Sequence, residues 1–145
     1  MIFPEIDQDL APELLVSDLH TSLNFWCAIL GFNVDYARHE IGFACISRGN
    51  AHIVLHELGE GRDFVTDTLE APYGRGINFQ VRVDDLDIPL HALQNIGWPL
   101  FLEPEEKWYP LGSAFEFGVR QFLVKDPDGY LLRFQQPLGK REVQG

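Results

Sequence analysis

The stretch KDPDGYLLRF, residues 125–134, places one guanidinium group among apolar residues. Pro127 presets φ for a tight turn and Gly129 can adopt a positive φ, so a turn followed by a strand is predicted. Alternation along that strand puts Arg133 on the same face as Leu131. If this face lines a cavity, the positive charge of Arg133 repels a divalent metal ion in that cavity.

A second group of candidate residues lies in IVLHEL, residues 53–58. His56 and Glu57 end an apolar strand, where they could ligate a metal ion, contact a bound molecule or face solvent at the sheet edge. Cys27 falls inside a predicted helix, away from an N-terminus that would lower its pKa. Neither a Gly-x-Ser-x-Gly stretch nor a Walker-type glycine loop occurs. The other histidines have no partner at ligand spacing and are interpreted as surface residues: His20, His39, His52 and His91.

A third candidate feature is the strand predicted over INFQVRV, residues 77–83. Asn78, Gln80 and Arg82 alternate onto one of its faces, and apolar side chains take the other. A polar face of this kind either lines a cavity or meets solvent.

Composition limits the possible partners. The chain has 145 residues, of which 46% are hydrophobic, and this predicts a single domain over residues 1–145. It has 11 Lys and Arg against 22 Asp and Glu, and the net charge of −11 excludes nucleic acid and anionic membranes and favours cationic ligands. With no long apolar run, acids near the start and only two cysteines, a soluble cytoplasmic protein is expected.

The first half of the chain predicts a strand over residues 10–16, a helix and three further strands. Ser17 and Asp18 are candidate N-caps, and Gly31 ends the helix. The second half, after a loop-like connector over residues 59–76, predicts the same order of elements, with Pro89 in the first turn of a helix that begins near Asp87.

The two halves also share a short sequence pattern. VSDL at residues 16–19 precedes VDDL at residues 83–86 by 67 positions, and each helix ends at a glycine. Two units that each leave an apolar sheet face open must bury those faces together. The predicted fold is therefore α+β, with two βαβββ modules (residues 9–58 and 77–138) whose curved mixed sheets form a cavity.

Three stretches resemble the vicinal oxygen chelate superfamily, which includes glyoxalase I, extradiol dioxygenases and bleomycin resistance proteins: LLVSDLHTSLNFWCAILGF, GINFQVRVDDLD and RQFLVKDPDGYLLRF. The resemblance covers most of the chain. It implies the paired βαβββ fold, usually as a dimer. The fold hosts metal enzymes and binding proteins alike, so it does not by itself assign an activity.

The resemblance also implies where a metal would be held. Its four ligand positions correspond here to Ala11, Asn78, Arg133 and either His56 or Glu57. Only one of the four is a good ligand, whereas a catalytic metal needs about three. A guanidinium about 5 Å from a dication also costs roughly 6 to 7 kcal/mol at an effective dielectric constant near 20. No metal and no other cofactor is therefore expected.

Bleomycin resistance proteins are the metal-free branch that the chain resembles most. Pro12 matches a proline that separates the first strand from a preceding arm exchanged between subunits, which predicts an arm-exchanged homodimer. Tyr36 matches an aromatic residue that lines the drug groove of those proteins, and Phe117 matches an aromatic position that is tryptophan in one of them. Phe43 and Trp108 are nearby aromatics without a matching position.

We therefore predict a metal-free protein that sequesters a cationic, planar aromatic antibiotic such as bleomycin, and so confers resistance. The expected contacts are Tyr36, Phe43, His56, Glu57, Asn78, Gln80, Trp108, Phe117 and Arg133. One alternative is a metal-dependent lyase, isomerase or dioxygenase of the same superfamily. A second alternative is a binder of an unrelated small metabolite.

Overall fold

β1 (Glu13–Val16) opens the first half of the chain in the computed structural model, which describes residues 8–60 and 63–144. Asp18 caps α1 (Leu19–Leu23), because its Oδ2 accepts a hydrogen bond from the Thr21 backbone N–H at 2.9 Å. The helix continues as a π-helical segment (Asn24–Ile29).

The rest of the first half forms a four-stranded mixed sheet with β1. Its strands lie in the order β1-β4-β3-β2, and only the β1–β4 pair is parallel. The bounds of the other strands are β2 (Asn33–Arg38), β3 (Phe43–Arg48) and β4 (Ala51–Glu57).

The second half repeats this topology. Its sheet has the order β5-β8-β7-β6, again with one parallel pair, β5 with β8. The predicted pair of βαβββ modules is thereby confirmed. The elements are β5 (Asn78–Arg82), α2 (Asp87–Asn95), β6 (Leu102–Leu111), β7 (Phe115–Lys125) and β8 (Leu131–Glu142).

The described chain divides into two compact units. Unit 1 comprises residues 8–60, 63–73 and 126–129, and unit 2 comprises residues 74–125 and 130–144. Each unit has its own core on the helix-bearing side of its sheet. Trp26, Ile46 and Leu55 are fully buried in unit 1, and Phe122 stacks on Phe134 in unit 2 with ring centroids 5.2 Å apart.

The Asp-Pro-Asp-Gly turn lies between β7 and β8 in sequence but packs within unit 1. Both carboxylate oxygens of Asp128 accept from the Ser17 N–H at 3.2 Å, and Oδ2 of Asp126 accepts from the Trp26 indole N–H at 3.1 Å. Gly129 has a φ of +100°, which confirms the predicted positive φ.

Two strand boundaries differ from the sequence prediction. β1 begins at Glu13 rather than at residue 10, because Pro12 has no backbone N–H to donate; its carbonyl still accepts from the Val54 N–H at 2.8 Å. β8 extends to Glu142 through Pro137 and Gly139, since a bulge in its pairing with β7 accommodates them.

No helix within the described residues has the length and apolar character that crossing a membrane requires.

Candidate ligand-binding site

Four polar side chains form a connected group on one face of the unit 2 sheet. At its centre lies Gln121 on β7, which is only 3% exposed. Its amide nitrogen donates to Oε1 of Glu105 (3.1 Å) and to the Tyr109 hydroxyl (3.0 Å) on β6. Its amide oxygen accepts from Nε of Arg133 (3.1 Å) on β8, and Nη2 of Arg133 donates to the Tyr109 hydroxyl (2.7 Å). We call these four residues the Arg133 network.

The partners of Gln121 fix the orientation of its amide group. A carboxylate only accepts hydrogen bonds and a guanidinium only donates them, so the NH2 group must face Glu105 and the oxygen must face Arg133. The oxygen of the Tyr109 hydroxyl then accepts from both Gln121 and Arg133. Its own O–H is left to donate, and no described residue accepts from it. The network therefore presents a hydroxyl donor beside a guanidinium.

Two aromatic rings border the network on the same face of the sheet. Tyr109 and Phe117 are register partners on β6 and β7, and their ring centroids lie 5.9 Å apart at an interplanar angle of 34°. Phe117 is 40% exposed, so much of its ring is accessible to a ligand. The guanidinium carbon of Arg133 lies 5.7 Å from the Tyr109 centroid. The face thus combines an open aromatic surface with directed polar groups.

β5 extends this face with a row of polar side chains. As the sequence pattern predicts, Asn78, Gln80 and Arg82 share one face, while Phe79 and Val81 between them point to the other side; the three polar residues are exposed. Gln80 is the register partner of Arg133 and Arg82 that of Gln135. The two arginines therefore lie on one face of the unit 2 sheet.

Three of the predicted contact residues meet on the corresponding face of the unit 1 sheet. Phe43 contacts the rings of Tyr36 and His56 edge-on, at centroid distances of 6.4 and 5.8 Å. The Arg38 guanidinium carbon lies over both Tyr36 (5.3 Å) and Phe43 (4.7 Å). His56 is mostly buried; its Nδ1 lies 3.5 Å from Oε1 of Glu13, and its Nε2 has no hydrogen-bond partner among the described residues.

Two other predicted contact residues point away from these faces. Oε2 of Glu57 accepts from the backbone N–H of Leu19 at 3.0 Å, so its carboxylate stabilises the start of α1. Trp108 lies on the opposite face of the unit 2 sheet from Tyr109 and packs on Gly118, with the Arg141 guanidinium carbon 3.7 Å from its ring. Pro12 adjoins β1, and the arm predicted before it includes residues 1–7, which lie outside the described residues.

Three of the positions that the resemblance assigns to metal ligands do not suit a divalent ion. Ala11 offers no donor, the Glu57 carboxylate is engaged by α1, and Arg133 carries a positive charge within its network. Across the described ranges, no cluster of three or more His, Cys, Asp and Glu side chains could hold a metal.

Cys27 lies partly buried in the π-helical segment. The sequence did not predict it to be an activated nucleophile. Burial raises the pKa of its thiol, and the nearby Asp35 carboxylate raises that pKa further. The thiolate is therefore disfavoured at neutral pH, in agreement with the sequence argument.

Sequence reasoning missed three of the four residues of the Arg133 network. Gln121, Tyr109 and Glu105 were not candidates, although Gln121 is the one amide side chain of β7 and is followed there by the apolar run Phe122–Val124. A buried Gln in such a stretch needs partners, and that requirement is the signal that could have found it. Tyr109 and Glu105 could not be assigned, because the pairing of β6 shifts register between Leu102 and Glu105.

The comparison with protein families shows to which superfamily the chain belongs. The family model of the Glyoxalase/Bleomycin resistance protein/Dioxygenase superfamily matches residues 10–134. The chain belongs to this superfamily. No curated protein sequence matches it.

Solved structures of the superfamily fold are similar over nearly the whole chain. A virulence protein from Salmonella typhimurium has a TM-score of 0.66 at 20% identity, covering 94% of this chain and 98% of that one. TioX from Micromonospora sp. ML1 has a TM-score of 0.67 at 20% identity, with 90% and 99% covered. A glyoxalase/bleomycin resistance protein/dioxygenase from Alicyclobacillus acidocaldarius has a TM-score of 0.61 at 16% identity, with 95% and 96% covered. At these identities the likeness supports the fold alone.

Proposed function

We propose that this superfamily member binds a flat aromatic small molecule on the Arg133 face of unit 2 without changing it chemically. The observation that carries the proposal is the pairing of an exposed aromatic surface, Phe117 beside Tyr109, with the fixed donors of the Arg133 network. Ligand pockets in proteins combine apolar walls with a few placed polar groups in this way.

Sequestration of a cationic antibiotic of the bleomycin type is the specific form of this proposal. It is supported by the resemblance to bleomycin resistance proteins and by the net charge of −11, which favours the approach of cations. The proposed active species is a cytoplasmic homodimer.

The proposal is tested by calorimetric titration of metal-free bleomycin into the chelator-treated protein. We expect saturable binding at micromolar concentration, because several aromatic contacts each contribute about 0.5–1.5 kcal/mol beyond area burial. Phe117→Ala should weaken binding about 2- to 13-fold. Phe101→Ala is the matched control, since that exposed ring packs beside Lys125 and takes no part in the network. An absence of saturable heat would favour the binder of an unrelated metabolite.

One observation favours a second candidate function, a metal-dependent lyase, isomerase or dioxygenase. His56 has a buried, unpartnered Nε2 within the described chain while its Nδ1 faces the Glu13 carboxylate, an arrangement common for metal-ligating histidines. Elemental analysis after gentle purification separates the two functions. About one transition metal ion per chain, lost in His56→Ala, would replace the binding proposal with the enzymatic one.

A further inference from the structure

We infer that the molecule bound on the Arg133 face is an aromatic carboxylate, with its carboxylate on Arg133 and its ring on Phe117. This inference rests on the proposed binding of a flat aromatic molecule and specifies the charge of its polar group. It is an alternative to the cationic antibiotic as the ligand. A cationic group of the same ligand would have to lie away from Arg133.

The hydrogen-bond inventory of Arg133 leaves donors for a ligand. A guanidinium has five N–H donors. Nε and Nη2 each donate to a neutral oxygen, those of Gln121 and Tyr109. With its amide reversed, Gln135 accepts from the same two nitrogens at 3.2 Å. In either orientation no described residue accepts from Nη1, so at least this end of the fork is available to a carboxylate.

The charge of Arg133 also lacks a counterion. Among the described residues no carboxylate lies within ion-pair distance of its guanidinium, although the chain has twice as many acidic as basic residues. Two other arginines of unit 2 do have such partners: Arg120 with Asp87 at 2.8 Å and Arg141 with Glu116 at 2.7 Å. A half-buried guanidinium held only by neutral groups favours an anion brought by a ligand.

Arg82 adds a second positive charge on the same face. It is exposed, makes no ion pair or hydrogen bond with the described residues, and stands diagonally across from Arg133 through the Gln80–Arg133 and Arg82–Gln135 register pairs. From these diagonal positions, Arg82 and Arg133 are long enough to contact the same bound group. The Tyr109 hydroxyl contributes a further donor at the same place.

The acidic character of the whole chain does not outweigh these local charges. At physiological ionic strength the Debye length is about 8 Å, so distant acids are largely screened from a bound anion. Glu105 is the nearest acid in the network, and it is exposed to solvent and already accepts from Gln121. Because Arg82 is exposed, its charge is largely screened by solvent, and the single half-buried charge of Arg133 matches a carboxylate better than a phosphate monoester, which carries about −1.5 to −2 at pH 7.

Calorimetric titration with 2-naphthoate, the neutral 2-naphthamide and the cationic 2-naphthylmethylammonium at pH 7 tests this inference. We expect naphthoate to bind about 10- to 100-fold more tightly than the amide, because hydrogen bonds to charged partners are stronger than neutral ones. Its affinity should fall as salt is added. Equal affinities for naphthoate and the amide, or tightest binding of the cation, would overturn the inference while leaving aromatic binding intact.

Substitutions of Arg133, Arg82 and Arg120 show which arginine produces the preference for naphthoate. Arg133→Gln should abolish the preference for naphthoate, and Arg82→Gln should reduce the naphthoate affinity about 2- to 5-fold. Arg120→Gln is the control, since Arg120 is ion-paired on the opposite face. An unchanged preference in Arg133→Gln, with the fold verified by circular dichroism, contradicts the inference. If none of the three naphthalene compounds binds, the inference is wrong, and bleomycin binding then decides whether the proposed function also fails.

Discussion

Unit 1 and unit 2 have the same order of strands and helix, but equivalent positions in their sheets carry different chemistry. Leu15 pairs with His56 in unit 1, and Arg82, 67 residues after Leu15, pairs with Gln135 in unit 2. The next strand places Phe43 opposite His56 and Gln121 opposite Gln135. Phe43 in unit 1 therefore occupies the position that Gln121 of the Arg133 network occupies in unit 2.

The same comparison extends to the charged residue itself. Glu13 pairs with Val54 in unit 1, and Gln80, 67 residues after Glu13, pairs with Arg133 in unit 2. Val54 and Arg133 are thus equivalent, and neither supplies a carboxylate. The shared backbone topology therefore does not carry the Arg133 network with it, since unit 1 has Val54 and Phe43 where unit 2 has Arg133 and Gln121.

The largest expected effect concerns the turn of unit 1. In Gly129→Ala, the new Cβ would lie 2.4 Å from the Pro72 Cβ and 2.6 Å from the Pro72 Cα, at a φ of +100°. We expect a loss of about 4 kcal/mol in the free energy of unfolding, measured by urea titration.

Gly112→Ala is the control for this substitution. Gly112, in unit 2, has a φ of +69° with nothing within 4 Å of a new Cβ, so it should lose only about 1 kcal/mol. Equal losses in the two variants would show that Gly129 is needed for its backbone angle alone.

The indole hydrogen bonds of the two units should differ in strength. Trp26 of unit 1 is fully buried and donates to the Asp126 carboxylate, whereas Trp98 of unit 2 donates to the Lys125 carbonyl in an exposed position. Trp26→Phe should therefore lower the free energy of unfolding by about 2–3 kcal/mol, and Trp98→Phe by about 1 kcal/mol. Chemical denaturation measures both, and a larger loss for Trp98→Phe would contradict the assignment.

A matched pair of substitutions separates the two equivalent faces. Gln121→Leu should lower the free energy of unfolding by about 1–2 kcal/mol and abolish the preference for naphthoate, since Arg133 and Tyr109 lose their common partner. Phe43→Leu should cost about 1 kcal/mol and leave naphthoate binding unchanged. A loss of binding in Phe43→Leu would move the site to unit 1.

The smallest effect concerns the helix starts. The Thr21 side-chain and backbone groups that donate to Asp18 lower the pKa of this carboxyl below its usual 3.8, whereas α2 has no side-chain cap at Leu86. Because the folded-state pKa is the lower one, the stabilisation is complete above the unfolded pKa and is lost as pH falls through the folded pKa.

Asp18→Asn retains an acceptor for the cap but removes this titration. Comparing the free energies of unfolding at pH 7 and pH 3 should therefore show a smaller acid loss in Asp18→Asn than in the wild type. An identical acid loss in both proteins would contradict the role of the Asp18 charge.

The fold could be predicted from sequence because local signals coincide with the elements. Asp18 and Gly31 bound the first helix, alternation marks β5, and Asp-Pro-Asp-Gly sets the final turn. The site could be predicted only in part. Arg133 and Phe117 were candidates from the sequence and lie on the proposed face, but the partners of Arg133 depend on register shifts between distant strands, which alternation within a single strand does not reveal.

Glu57 and Trp108 were predicted to face the ligand, but their side chains point to the other side of their sheets. Glu57 and Trp108 each sit next to a face-lining residue, His56 and Tyr109, and a one-residue difference reverses the side of the sheet. The sequence identified the correct strands in both cases. The face of each residue became apparent only from its hydrogen bonds and ring contacts.

The most direct test of the account is an NMR titration of the metal-free protein, observing the Arg Nε–H and Gln side-chain amide signals while 2-naphthoate or bleomycin is added. The account predicts saturable shifts of the Arg133 and Gln121 signals in unit 2, with the Arg38 signal in unit 1 unchanged. Shifts confined to Arg38 and the His56 ring, or binding seen only after a divalent metal is supplied, would contradict it.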